Sequence, residues 1–145
     1  NELEYALPIG ALSQAQERHH RLCRDFAARG DGSHIANFPS ESRFIRGDRG
    51  NLLSPTQGQD SCYFSVMSHH AFADHERFLR TMEQELLSLG GRPHWGKLFY
   101  QNPTSLYPNW NLFLSYRDKW DPQGKFRNIY VDRLINGHEM LNRLG

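Results

Sequence analysis

The run Ser61–Ser68 packs Cys62, Tyr63, Phe64, Val66 and Met67 into eight residues, and that density of aromatic and β-branched side chains demands a strand. A helix follows it. Asp74 stands at a capping position, and Phe78, Leu79, Met82, Leu86 and Leu89 then recur at helical spacing until Gly90-Gly91 breaks the pattern. A strand and a helix that is apolar on one face each need a partner surface. The simplest solution packs such helices against a sheet.

The remaining segments supply that sheet. Leu3, Tyr5 and Leu7 alternate up to Pro8, which reads as a strand. Leu12, Ala15, Leu22 and Phe26 mark a helix over 11–28, closed by Gly30 and Gly32. Residues 34–46 read as extended with a break at Pro39, and 47–58 as a loop rich in glycine. A helix is predicted over 106–120, ending at the Asp121-Pro122 turn. Residues 129–134 read as a short strand or an extended tail, and 139–144 as a terminal helical turn or two. The order strand, helix, strand, strand, helix predicts an α+β fold, an antiparallel sheet with helices packed on one face. At 145 residues this is a single domain.

Composition removes several functions. The 17 basic and 16 acidic residues nearly cancel, so no global field draws the chain to nucleic acid or an anionic membrane. No apolar run reaches the ~20 residues of a transmembrane helix. No signal peptide opens the chain, and a start at Asn1 rather than methionine fits a piece of something longer. Cys23 and Cys62 read as two reduced, buried thiols of a cytoplasmic protein, with a single bridge as the alternative. Eight histidines include His19-His20 and His69-His70, but no His-Glu-x-x-His or cysteine pair completes a metal set. Those pairs read as a helix surface and a strand end. No Gly-x-Ser-x-Gly elbow is present.

Two places invite chemistry. Glu41 and Arg43 are two apart, so on a strand they leave the same face. Such a carboxylate and guanidinium can bind neighbouring hydroxyls of a sugar, or simply pair with each other in solvent. Lys97 closes Pro93-His94-Trp95-Gly96-Lys97 and precedes the apolar, strand-like run Leu98-Phe99-Tyr100. It either snorkels to water or holds an anion in a shielded pocket. A flavin that has accepted hydride is one such anion. The Asp121-Pro122-x-Gly124-x-Phe126 turn should drop Phe126 into a core.

Taken together, Glu4–Pro8, Glu41-Ser42-Arg43, Leu53-Ser54-Pro55 with Gly58 and Asp60-Ser61, residues 92–97 and residues 121–128 resemble the D-arabinono-1,4-lactone oxidase family, which includes gulonolactone and alditol oxidases. The resemblance implies a carboxyl-terminal cap or substrate domain of an FAD-dependent oxidoreductase, with residues from about 92 to 145 packing back against the flavin. It implies catalytic roles for Glu41, Arg43 and Lys97. Glu41, Arg43 and Ser65 would contact substrate, and Lys97, His94 and Asn128 the cofactor. The substrate would be a sugar lactone or polyol, losing hydride from an alcohol carbon. Ser65 stands where alditol oxidases place a histidine, which argues against an alditol. The family's amino-terminal FAD-binding domain has no counterpart in these residues, so the piece alone should neither hold FAD tightly nor turn over. A stand-alone sugar- or partner-binding module is the competing reading. The discriminating geometry is whether Glu41, Arg43 and Lys97 converge on one open face.

Overall fold

A computed structural model describes residues 1–29 and 39–140. The expected glycine stop at 30–32, the extended segment 34–38 and the terminal turn at 141–144 lie outside these residues. Four strands, β1 (Glu2–Pro8), β2 (Glu41–Ile45), β3 (Ser61–Met67) and β4 (Arg92–Pro93), form one antiparallel sheet in the order β2-β3-β1-β4. Two helices, α1 (Leu12–Ala27) and α2 (His75–Ser88), pack together on one side of it. The α+β architecture expected from the sequence is the one observed.

Alternation in the two central strands explains why the helices choose that side. Leu3, Tyr5 and Leu7 of β1 and Phe64 and Val66 of β3 point to the same face and are fully buried. Phe78, Leu79, Met82 and Leu86 of α2 and Ala15 and Phe26 of α1 close over them. Burying each of these large apolar side chains contributes roughly 1.5–3 kcal/mol. His19 joins this core rather than the helix surface. Its ring sits edge-on to Phe64 at 5.8 Å and Phe78 at 6.2 Å, and Cys23 Sγ lies 3.4 Å from its Nε2. His69 and His70 are exposed beyond the end of β3, stacked at 4.5 Å. Both cysteines are free thiols; Cys62 is buried and Cys23 half-buried.

One acid belongs to the core. Glu83 of α2 is 1% exposed, and its Oε1 accepts hydrogen bonds from Tyr5 Oη at 2.6 Å, Tyr100 N at 2.8 Å and Gln101 N at 3.3 Å. The charge is compensated by donors, as burial requires. It also ties α2 to β1 and to the segment after Lys97. That segment is not a strand: Leu98 meets Leu3 in a single parallel bridge, and Leu98, Phe99 and Tyr100 are buried in irregular backbone.

Asp74 precedes α2 but makes no capping bond; its carboxylate pairs with Arg29 at 2.7 Å instead. At the other end the helix closes as a Schellman motif, with Gly90 N bonded to Leu87 O and Gly91 N to Leu86 O. Gly90 has φ +78°, and a Cβ on Gly91 would sit 2.7 Å from Leu86 O and 2.9 Å from Leu7 Cδ2.

The carboxyl-terminal third differs most from expectation. A 3₁₀ turn at Thr104–Leu106 precedes α3 (Trp110–Trp120), because Pro108 forces Tyr107 into an extended conformation and breaks the predicted helix. No residue of α3 is buried. The Asp121 carboxylate accepts from Lys125 N at 2.7 Å and Phe126 N at 3.0 Å, closing the turn, but Phe126 then faces solvent at 82% exposure instead of entering a core. Residues 129–135 form a helix, α4 (Ile129–Ile135), where a strand or tail was expected. The β-branched Ile129 and Val131 suggested extension. The Asn128 side chain, accepting from Val131 N at 2.9 Å, starts a helix nonetheless. Asn102 secures its far end by donating to the carbonyls of Arg133, Leu134 and His138.

Gly91→Ala should destabilise the chain by about 1–3 kcal/mol in urea unfolding, because the methyl has nowhere to go between α2 and β1. Asn128→Ala should cost about 1 kcal/mol in the same measurement.

Candidate functional site on the open sheet face

The face of the sheet away from α1 and α2 carries charge. Register fixes its rows. Glu41, Ser65 and Glu4 lie side by side across β2, β3 and β1, and Arg43, Tyr63, Ala6 and Arg92 form the next row across all four strands. Glu41 and Arg43 therefore leave β2 on the same side, as the two-residue spacing requires.

Two of the cations, Arg43 and Lys97, are each held by an acid of β1. Arg43 Nη2 donates to Glu4 Oε1, reaching across β3 to do so. Its guanidinium carbon lies 5.6 Å from the Tyr63 ring centroid, a cation–π contact on the same face. Lys97 Nζ donates to Glu2 Oε2, while Ser65 Oγ donates to Glu2 Oε1. Ser65 Oγ also lies 3.4 Å from Leu3 O. Lys97 thus neither snorkels freely nor awaits a partner: it is paired, with about a third of its side chain exposed.

The loop that carries Lys97 is fastened to the same strand. His94 N bonds Glu4 O at 2.8 Å and Leu98 N bonds Glu2 O at 3.0 Å, which brackets the lysine. Within the loop, His94 Nδ1 accepts from Gly96 N at 3.0 Å, and the His94 ring stands edge-on to Tyr63 at 5.8 Å. Trp95 anchors the loop from the outside through its indole N–H to Leu53 O at 2.7 Å and a stack on Tyr107 at 4.8 Å. Tyr130 of α4 donates to Trp95 O at 3.0 Å. Burial raises the Tyr130 hydroxyl to about 12, so it stays protonated and able to donate.

Glu41, Arg43, Ser65, His94 and Lys97, five of the six sequence-predicted residues, converge on this face. Asn128 does not join them by any bond described above; its side-chain oxygen is committed to the α4 cap. Reasoning from the sequence assigned no role to Glu2 and Glu4. The signal was present: two carboxylates alternate with Leu3, Tyr5 and Leu7, on the face where a half-buried strand would be expected to carry exposed polar groups. Glu4 is instead 2% exposed. Burial pushes the Glu2 carboxyl up, but the hydrogen bonds from Lys97 and Ser65 and the Lys97 and Arg43 charges outweigh it and hold the group below its ordinary 4.5. Burial raises the Tyr63 hydroxyl, helped by the Glu4 charge and opposed by Arg43. Among the described residues no group of three or more His, Cys, Asp or Glu side chains could hold a metal ion, and no helix is long and apolar enough to cross a membrane.

The fold and this face define an open-faced α+β sandwich with α1 and α2 on one side and paired charges on the other. The chain belongs to the D-arabinono-1,4-lactone oxidase family, whose pattern it matches over residues 1–134. It is 36% identical to an L-gulono-1,4-lactone dehydrogenase of Mycobacterium tuberculosis over 137 residues, covering 92% of this chain and 30% of that protein. An L-gulonolactone oxidase of Scyliorhinus torazame is 38% identical over 104 residues, covering 68% of this chain and 23% of its own length. An alditol oxidase of a Streptomyces species is 34% identical over 92 residues, covering 59% of this chain and 21% of its own length. The chain thus spans less than a third of each of these relatives.

A carboxyl group with a lowered pKa stabilises the fold above its unfolded value and loses that contribution as pH falls through its folded value. For Glu2 the loss should therefore fall in the acid range below pH 4.5. Glu2→Gln should flatten the decline of unfolding free energy there, measured by urea titration between pH 6 and about 3. An unchanged pH profile would show that the Lys97 pair does not form in solution.

Proposed function

We propose that this chain is the substrate-facing part of an FAD-dependent oxidoreductase that acts on a CH–OH group of a sugar lactone or polyol. The observation that carries the reading is the meeting of Glu41, Arg43, Ser65 and Lys97 on one sheet face, from three segments far apart in sequence. Membership of the lactone oxidase family and the names of the relatives support the same substrate class.

Each residue has work it can do there. Arg43 extends rigid, planar donors toward a ring oxygen, carbonyl or hydroxyl, and a carboxylate already holds one of its nitrogens in place. Glu41, exposed on the same strand face, can accept a hydrogen bond from a substrate hydroxyl and take its proton from the oxygen as the carbon gives up hydride. Ser65, 2% exposed, gives its hydroxyl to Glu2 Oε1 and so steadies the acid that holds Lys97. His94 and Tyr63, packed edge-on, form an aromatic border to the face.

The donor set suits the ring end of FAD. Lys97 keeps ammonium protons beyond the one given to Glu2, and its loop is fixed to β1 on both sides, so its charge is fixed in position. When bound, FAD supplies the acceptor for the two electrons leaving the alcohol carbon. Lys97 and Arg43 present N–H donors already oriented before reaction, each steadied by a carboxylate. The remainder of the cofactor would be held by the rest of the protein, since the relatives are more than three times the length matched here.

The intact protein carrying this chain should be yellow, and L-gulono-1,4-lactone should bleach it under anaerobic conditions. Lys97→Met should slow that reduction about a hundredfold while shifting the urea midpoint far less. A colourless protein that takes up no added FAD would instead favour a sugar- or partner-binding module.

A further inference from the structure

We propose that Glu4 is a positioning residue for Arg43, locking the guanidinium over the middle of the sheet face in the orientation that meets substrate. The proposal rests on the substrate role given to Arg43 above. Four observations carry it.

First, Glu4 is 2% exposed, and among the described residues only Oε1 of its two carboxylate oxygens has a partner, the Arg43 guanidinium. Oε2 is buried with no hydrogen bond from any described residue. A desolvated carboxylate with one idle oxygen is a poor structural element, because a buried charge costs several kcal/mol unless its lone pairs are satisfied. Second, Arg43 comes from β2, an edge strand whose five residues are all exposed, and its side chain is 56% exposed. Nothing about that strand confines an arginine. Third, the guanidinium pairs with Glu4 on the far side of β3 rather than with Glu41 two residues away on its own strand. That choice leaves the Glu41 carboxylate available to a ligand hydroxyl. Fourth, Tyr63 lies within 5.6 Å of the guanidinium carbon, giving Arg43 an aromatic contact but no directional bond, so the direction must come from the carboxylate. The pattern repeats two residues earlier, where Glu2 of the same strand holds Lys97.

A structural acid and a positioning acid respond differently to Glu4→Gln. Removing a half-satisfied buried charge should leave the unfolding midpoint unchanged or raised, whereas Arg43 would lose the anion that orients it. In the FAD-loaded intact protein, flavin reduction by L-gulono-1,4-lactone should then weaken about tenfold, mainly as a higher substrate concentration for half-maximal rate. The same substitution made in an Arg43→Ala background should cost nothing further. Equal losses in both backgrounds, or no loss with Arg43 present, would overturn the proposal.

A second measurement does not depend on turnover. In spectra of the intact protein labelled with ¹⁵N-arginine, the Arg43 side-chain N–H signals should be resolved and slow to exchange. In Glu4→Gln they should move to the averaged position of free arginines. Averaged signals already in the unsubstituted chain would defeat the anchoring role, even if the protein oxidises a lactone. Resolved signals that collapse in the variant, in a protein that no lactone or polyol reduces, would keep the anchor and discard the substrate reading.

Discussion

β1 is hydrogen-bonded along both edges, to β3 on one side and to β4 and then Leu98 on the other, so its register is fixed. A shift of one residue would exchange its two faces. Leu3, Tyr5 and Leu7 would leave the core, and Glu2 and Glu4 would be driven into it. The hydrophobic core and the charged face are therefore two consequences of one alternation. Stability on the helix side enforces the placement of acids on the other, and those acids hold Arg43 and Lys97.

Glu83 extends that constraint to the loop. By accepting from Tyr5, Tyr100 and Gln101 together, it ties the helix layer to β1 and to the chain just after Lys97. The lysine is thus fixed from below by Glu2, at its loop ends by the backbone of β1, and further along by a buried carboxylate. Trp95, stacked on Tyr107 and bonded to Leu53 O, closes the outer side. Preorganisation of this kind is what electrostatic assistance to a reaction needs, since the charge does not have to be gathered at the moment of transfer.

The parts most readable from the sequence were those governed by local periodicity. The β3 run, the α2 stripe ended by Gly90-Gly91, and the Leu3-Tyr5-Leu7 alternation each specify an element whose apolar face admits one arrangement. Glu41 and Arg43 were readable as a same-face pair for the same reason. The carboxyl-terminal third was less so. Its segments bury little, so composition gives weak guidance, and short-range chemistry decides: Pro108 breaks the helix predicted from 106, and the Asn128 cap turns a β-branched run into α4. His19 entered the core because the facing sheet offers Phe64 and Phe78, which helix periodicity alone does not show.

By itself, the sequence determined the α+β class, the two core helices, the strands that carry Glu41, Arg43 and Ser65, and the family resemblance. Those properties follow from spacing along the chain and from the strong preference of apolar side chains for burial. Only the tertiary structure decided which acid meets which base. Arg43 bonds Glu4, 39 positions earlier, and Lys97 bonds Glu2, 95 positions earlier. Such pairings depend on strand order and register, which bring together side chains that no local pattern connects.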